Sequence, residues 1–253
     1  MHPDHNSVFR RLSKTACLFF LTIACTTPAF SASITFSPVG VDVQAPERAG
    51  NISLINNSET QPVRVQIRIF RWKQVDGKEV LEPTRDVVAS PPVASIPALA
   101  KYTLRLARIA PAPIQGEESY RLLIDELPAP IDPKLGASGV QLLLRASIPA
   151  FFSAPTAKPD IRWKVWSAEG KLHVTANNMG TRHLKLIDFS VDGPAGNTVI
   201  RATGSSAYVL PGSSLTFESA DGAPSYPVGT QVTVNAAKGS PFAVHEQISI
   251  SAP

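Results

Sequence analysis

Short stretches in which apolar and polar residues alternate are the feature that most constrains the fold of this chain. One runs from Val63 to Phe70 and another from Thr103 to Ile109. A period of two is typical of strands with one buried face. Further β-type runs recur along the chain with turn residues between them, and no segment carries a long apolar stripe of helical period. The pattern predicts an all-β sandwich or barrel.

A proline-containing segment, Ala154–Pro159, divides these runs into two sets. Proline cannot continue a central strand, and two prolines so close together make a short, stiff connector. Six β-type runs follow the connector, at 161–167, 171–176, 184–191, 214–217, 231–235 and 247–251. The sequence therefore predicts two all-β domains, residues 32–154 and residues 155–253.

The first 31 residues have the composition of an export signal. Basic residues stand between positions 10 and 14, an apolar run spans Ala16–Cys25, and Ala29-Phe30-Ser31 fits a cleavage site. The apolar run is shorter than the roughly 20 residues that a membrane-spanning helix needs. A lipid anchor at Cys25 is the weaker alternative, because threonine rather than leucine stands three residues before it. We expect residues 1–31 to be a signal peptide and the mature chain to be exported without a transmembrane segment.

Removal of this signal changes which chemistry is available. Both cysteines, Cys17 and Cys25, lie inside it, so the mature chain has no disulfide, thiolate or cysteine metal site. The whole chain has 24 basic and 20 acidic residues. The signal contains three of the basic residues and one of the acidic ones, which leaves the mature chain a net charge of only +2. So small a charge argues against nucleic acid as a partner.

No motif indicates an enzyme. Three histidines lie outside the signal: His173, His183 and His245. They lack the spacing of zinc ligands, and one remaining methionine, Met179, is too little for a copper site. The adjacent Asp125 and Glu126 would point to opposite faces of a strand, and no nucleophile elbow or phosphate loop occurs. We predict no catalytic residue, no metal and no cofactor.

Three stretches of the first set carry a family resemblance. Val87–Pro92, followed by Ile96-Pro97, resembles a fourth strand with paired prolines, and Ser90-Pro91 is a candidate cis peptide. Tyr120–Pro128 resembles a sixth strand that ends in an acidic-apolar-proline signature, and Gly139–Pro149 falls where the seventh should lie. In this order the chain resembles the periplasmic chaperones of the chaperone–usher pilus pathway, in a divergent or archaic branch, over essentially the whole mature chain.

The resemblance implies two immunoglobulin-like β-sandwich domains in an L-shaped arrangement. It also implies a periplasmic chaperone that caps pilus or fimbrial subunits by donor-strand complementation and passes them to an outer-membrane usher. Whether the free chaperone self-associates is left open. The main alternative is a secreted immunoglobulin-like binding module, an adhesin or a pilus subunit. A subunit would begin with an alternating donor extension, whereas Ala32–Val43 is short and interrupted by Pro38.

The donor strand that the resemblance implies is an alternating apolar row. Its residues are Val140, Leu142, Leu144, Ala146 and Ile148. An extended strand would aim all five at one face and span roughly 30 Å at about 3.3 Å per residue. Leu143, on the other face, is expected to pack in the domain's own core. Taken without its neighbouring strands, the row would be assigned to an ordinary core strand, and it is the match of those neighbours that favours the donor strand.

The family's cationic anchor for a subunit's terminal carboxylate departs from the usual pattern. The resemblance aligns the usual arginine with Gly40 and the usual lysine with Pro149, and neither side chain can bind a carboxylate. In the archaic branch, cations on the sixth and seventh strands take this role, which here implies Arg121 and Arg145. The alternative is that both are solvated strand residues. Three further arginines are weaker candidates: Arg68, Arg105 and Arg108.

Overall fold

The computed structural model describes residues 34–128, 142–202 and 207–253. The predicted signal, residues 1–31, and Val140 lie outside this part of the chain. Its regular elements are 19 strands, and no α-helix occurs among the described residues. Accordingly, none of the described segments is a helix long and apolar enough to cross a membrane.

Ten strands form the N-terminal sandwich. They are β1 (Ile34–Ser37), β2 (Val41–Gln44), β3 (Ala49–Asn56), β4 (Val63–Val75), β5 (Lys78–Pro83), β6 (Val87–Ser90), β7 (Val93–Ile96), β8 (Lys101–Arg108), β9 (Glu117–Leu127) and β10 (Arg145–Ser153). One sheet has the order β1-β3-β8-β6. The larger sheet has the order β2-β10-β9-β4-β5, with β7 also paired to β4. All pairs are antiparallel except β10 with β2.

Nine strands form the C-terminal sandwich. They are β11 (Ile161–Ala168), β12 (Lys171–Asn178), β13 (Leu184–Lys185), β14 (Asp188–Gly193), β15 (Gly196–Arg201), β16 (Tyr208–Val209), β17 (Ser214–Glu218), β18 (Gln231–Ala236) and β19 (Val244–Ser249). The sheets are β11-β12-β17, the short pair β13-β16, and β15-β14-β18-β19. The run at 184–191, predicted as one strand, is two strands in different sheets.

Each sandwich encloses its own hydrophobic core. Ile52, Leu104 and Leu122 are fully buried in the N-terminal one, and Val174 and Leu186 in the C-terminal one. Burying one such side chain stabilises a fold by about 1.5–3 kcal/mol. The alternating runs therefore fold as the sequence predicted, into two immunoglobulin-like sandwiches. The predicted boundary at 154/155 stays a prediction.

The connector between the sandwiches is hydrogen-bonded rather than loose. The Met179 amide donates to the Asp160 carbonyl at 2.7 Å, and the Thr181 amide donates to the Lys158 carbonyl at 2.9 Å. Between them, a Cβ on Gly180 would lie 2.4 Å from the backbone nitrogen of Asp160. Only glycine allows so close an approach of the two backbones.

Three X–Pro peptide bonds are cis among the described residues. One is Ser90-Pro91, between β6 and β7, which confirms the sequence prediction. The others are Ser37-Pro38 and Ala45-Pro46, on either side of β2.

Candidate functional site

Strand β10 has a free edge. On one side it pairs with β9 along its whole length, from Arg145 opposite Asp125 to Ser153 opposite Glu117. On its other side it pairs with β2 only from Ala150 onward. In the part of the chain that the structure describes, residues 145–149 therefore have a partner strand on one side alone.

The backbone groups of this edge point outward. The Glu126 amide donates to the Leu144 carbonyl at 2.8 Å, so Leu144 directs its carbonyl toward β9. At the far end, the Ala45 amide donates to the Ser153 carbonyl at 2.9 Å, on the β2 side. Because these directions alternate along a strand, Arg145 and Ser147 direct their N–H and C=O groups away from β9. Such unpaired groups are a template on which another strand can pair.

The apolar row of the predicted donor strand is exposed in a graded way. Leu142 is 85% exposed, Leu144 and Ala146 are half-buried against the N-terminal core, and Ile148 is 4% exposed within it. Available apolar surface therefore decreases toward Ile148. The prediction that Leu143 packs in the core is wrong, since that side chain is 44% exposed. The reason is the alternation itself, which gives the core-facing positions to Leu144 and its even-numbered successors.

Arg145 lies on the opposite face of β10 in a three-residue charge cluster. Arg68 Nη2 donates to Asp125 Oδ2 at 2.7 Å, and Arg145 Nε donates to Asp125 Oδ1. Two guanidinium groups thus share one carboxylate, which leaves the cluster one positive charge in excess. Burial opposes ionisation of Asp125, but the hydrogen bonds from Arg145 and Arg68 outweigh it and lower the pKa of Asp125. Arg68 Nε is buried without a hydrogen-bond partner.

Arg121 is not part of this cluster. It pairs in register with Pro149, four residues along β9 from Asp125, a distance of about 13 Å at 3.3 Å per residue. Its buried guanidinium lies 3.6 Å from the ring centroid of Trp72, and its Nε donates to Glu79 Oε2 at 2.9 Å. Burial lowers its pKa. The structure does not bring the two predicted anchors together, and Arg121 is already held by an aromatic ring and a carboxylate.

The two positions aligned with the usual cationic pair are spatial neighbours. A Cβ on Gly40 would lie 3.5 Å from Cγ of Pro149. Their proximity supports the alignment of both positions. The chain is therefore uncharged at the two positions where the resemblance implies cations.

An aromatic junction joins the sandwiches on the outer face of the large sheet, at the end away from Arg145. Trp72 and Phe151 pack with Tyr208 and Leu210 of the C-terminal sandwich. His183 stacks on Phe151 with ring centroids 3.7 Å apart. The junction therefore closes one end of the outer face of the large sheet and leaves Arg145 at the other end.

Polar groups missed by the sequence analysis flank this junction. The Glu117 carboxylate is fully buried and accepts a hydrogen bond from the His183 amide at 3.1 Å. Arg182 donates to Ser153 Oγ at 3.0 Å and pairs with Asp42. The adjacent basic residues Arg182 and His183 were visible in the sequence, but nothing there indicated their acidic partners in the other half of the chain.

Within the described residues, no group of three or more histidine, cysteine, aspartate or glutamate side chains could hold a metal ion. The site offers an open strand edge on β10, an apolar row that leads into this strand, and a cationic cluster to which β4, β9 and β10 each contribute one residue. That combination can bind an extended polypeptide.

Comparison with known proteins identifies the class of protein to which this chain belongs. Residues 33–158 match the family model described as pili and flagellar-assembly chaperone, PapD N-terminal domain. A comparison with curated protein sequences finds no significant match.

Solved structures extend the similarity over both sandwiches. The CsuC–CsuE chaperone–tip adhesion subunit complex from archaic Csu pili of Acinetobacter baumannii is 27% identical, with a TM-score of 0.60, over 87% of this chain and 99% of that one. The Salmonella enterica SafA pilin–SafB chaperone complex is 17% identical, with a TM-score of 0.57, over 88% of this chain and 97% of that one. The Pseudomonas aeruginosa CupB2 chaperone is 19% identical, with a TM-score of 0.53, over 87% of this chain and 100% of that one. The last two likenesses concern the fold alone.

These matches define a two-sandwich, non-enzymatic assembly chaperone. The chain belongs to the PapD-like family of chaperone–usher pilus chaperones.

Proposed function

We propose that this chain is a periplasmic chaperone that binds pilus subunits through β10 and the residues before it, caps them by donor-strand complementation and delivers them to an outer-membrane usher. The observation that carries the proposal is the free edge from Arg145 to Pro149, at the end of an apolar row. Export is directed by the predicted signal, residues 1–31, and the sandwiches divide at 154/155.

The mechanism rests on an incomplete partner. A subunit that lacks its last strand has an apolar groove and an open sheet edge, which aggregate if left uncovered. Arg145 and Ser147 supply backbone donors and acceptors for that edge. Leu142, Leu144 and Ala146 supply apolar side chains for the groove, while Ile148 stays in the chaperone's own core. Val140 extends the same row.

The cationic cluster is the proposed anchor for the subunit's terminal carboxylate. Arg145 is the better of the two predicted anchors, because its side chain is 67% exposed whereas Arg121 is buried. Arg68 joins it, since it shares Asp125 and has a buried Nε without a partner. A guanidinium can grip a carboxylate through two parallel hydrogen bonds.

The solved structure that is 27% identical holds the chaperone CsuC together with the tip adhesion subunit CsuE. It supports a pilus subunit as the partner of this chain. A secreted binding module or adhesin is the second candidate, and the co-purification experiment separates the two.

The experiment is co-expression of the full chain with the products of its neighbouring genes, followed by purification from the periplasmic fraction. We expect a small β-rich subunit to co-purify in about equal amount. Leu142→Arg should abolish this capture, because an exposed apolar donor becomes a charge that a groove cannot accept. Thermal unfolding should stay unchanged, since Leu142 contributes little to the core.

Leu143→Arg is the matched control. The residue is adjacent and exposed but lies on the other face, so capture should persist. If Leu142→Arg captures the subunit as well as Leu143→Arg and the wild-type chain do, the apolar row is not the donor. Recovery of the wild-type chain alone, with every neighbour folding without it, would favour the binding module.

A further inference from the structure

The end of the β4–β5 hairpin is a two-stranded part of the larger N-terminal sheet. β4 pairs with β9 only from Arg64 to Arg71, and its last residues pair with β5 alone. The hairpin closes through Asp76 and Gly77, whose φ angles of 51° and 72° suit a two-residue turn between strands. The hairpin therefore extends past the sheet that contains it.

One side chain of this extension pairs with the C-terminal sandwich as a strand residue would. Gln74 Nε2 donates to the Tyr208 carbonyl at 2.7 Å, and the Leu210 amide donates to Gln74 Oε1 at 3.0 Å. A residue in a neighbouring parallel strand makes this same pair of bonds, to the carbonyl of one residue and the amide two residues later. The Gln74 amide thus takes the place of a strand next to β16.

The hairpin end makes further contacts around this pair. Trp72, two residues earlier on the same face, packs edge-on to Tyr208 with centroids 5.6 Å apart. A Cβ on Gly77 would lie 3.9 Å from Leu215 in the C-terminal sandwich. Apolar contacts of this kind are non-directional and tolerate rotation. Hydrogen bonds weaken steeply when their angles change, so the amide is the part of the contact that fixes an orientation.

The orientation matters because both sandwiches border the same face. Phe151 of the junction and Arg145 of the cationic cluster lie on one face of β10, six residues apart. A rotation of the C-terminal sandwich about the junction would change the space in front of Arg145 and Ser147. Gln74 touches neither of those residues.

We infer that Gln74 is a positioning residue, which sets the angle between the sandwiches. This angle determines the width of the space in front of Arg145 and Ser147, the cleft that receives the subunit. The inference rests on the proposed function. The hairpin end would then contribute to subunit specificity, because a subunit too thick or too thin for a cleft of fixed width would not bind.

The experiment compares Gln74→Leu, which removes both hydrogen bonds, with Gln74→Glu, which can still accept from the Leu210 amide. Gln61→Leu is the control, at an exposed glutamine of the same sandwich that is not part of the charge cluster. The predicted mature chain has no cysteine, so spin labels at Lys101→Cys and Lys238→Cys report one distance between the sandwiches. Both positions are exposed.

We expect Gln74→Leu to broaden or shift this distance and to weaken subunit binding about tenfold, which corresponds to about 1.4 kcal/mol. Gln74→Glu should lie between it and wild type, and Gln61→Leu should change neither measurement. Circular dichroism of each variant shows whether both sandwiches are folded; the glutamate variant serves if the leucine variant is not.

An unchanged distance, or a changed distance with unchanged subunit binding, would overturn the inference. Failure of the wild-type chain to bind any subunit would overturn the proposed function, and the positioning role with it. The two failures are distinct, because the second appears in the wild-type measurement.

Discussion

At the scale of single residues, Asp125 is the most informative, because it is shared by two arginines and lies beside the free edge. Sequence reasoning placed Arg145 on the face opposite the apolar row, and the structure agrees. It could not place Arg68, since the contact of β4 with β9 is non-local and only the folded register puts Gln66 opposite Asp125. It also gave Arg121 an anchoring part, although a buried ring and Glu79 already hold that side chain.

The anchor proposal predicts a loss specific to Arg145. Arg145→Ala should weaken subunit binding at least about tenfold, because a charge-assisted hydrogen bond contributes about 1.5–3 kcal/mol. The loss should shrink when the subunit's terminal carboxylate is amidated, and calorimetric titration of both subunit forms measures this. Arg105→Ala, an exposed arginine on the other sheet, is the control. Equal losses for both subunit forms would refute the anchoring role.

At the scale of elements, β10 combines two environments within one strand. Its second half is held between β9 and β2, and its first half is open on one side. The alternating pattern predicted the strand and which of its residues share a face, but the structure begins the strand at Arg145 and turns that row, not Leu143, toward the core. Pattern alone fixes which residues share a face, not which face is the core. No pattern in the sequence indicated that the β4–β5 hairpin docks on β16.

We expect the backbone donors that point outward from the free edge to be required for subunit capture. Ser147→Pro removes the amide that points away from β9 and leaves the β9 ladder intact, as proline on an edge position does. Subunit capture in the co-purification assay should fall sharply, while Ser147→Ala should keep it. If the proline variant is folded by circular dichroism and still captures the subunit, strand pairing at this edge is excluded.

At the scale of the whole molecule, the two sandwiches and their order were predictable from alternation, turns and one proline-containing connector. The contacts that join the sandwiches were not. Glu117 with His183, and Gln74 with Tyr208, are pairs separated by 66 and 134 positions, and no local pattern links them. Non-local polar pairs follow from the fold and cannot be found before it.

Buried carboxylates make the stability of the whole molecule sensitive to acid. Burial raises the pKa of Glu118, but hydrogen bonds from Arg108 and Tyr120 outweigh this and lower it overall, and the pKa of Asp125 is lowered as well. Both ordinary values lie near 4. A lowered pKa in the folded state stabilises the fold above that range, and the stabilisation is lost as pH falls below it.

The midpoint of thermal unfolding should therefore fall when the pH drops from 6 to about 3. Glu118→Gln should lower the midpoint at pH 6 and reduce its dependence on pH. Glu59→Gln, at an exposed glutamate, should leave both unchanged. An identical pH profile for Glu118→Gln and wild type would exclude Glu118 as a source of the acid sensitivity.

The shared carboxylate of Asp125 has a consequence for release. If a subunit's terminus binds Arg145, it replaces an acidic group that is already there, so the event is an exchange of occupants rather than the filling of an empty place. Departure of the subunit lets Asp125 resume its former contact, and no bare cation is left behind. The bound and the free chaperone would therefore both keep Arg145 paired with a carboxylate.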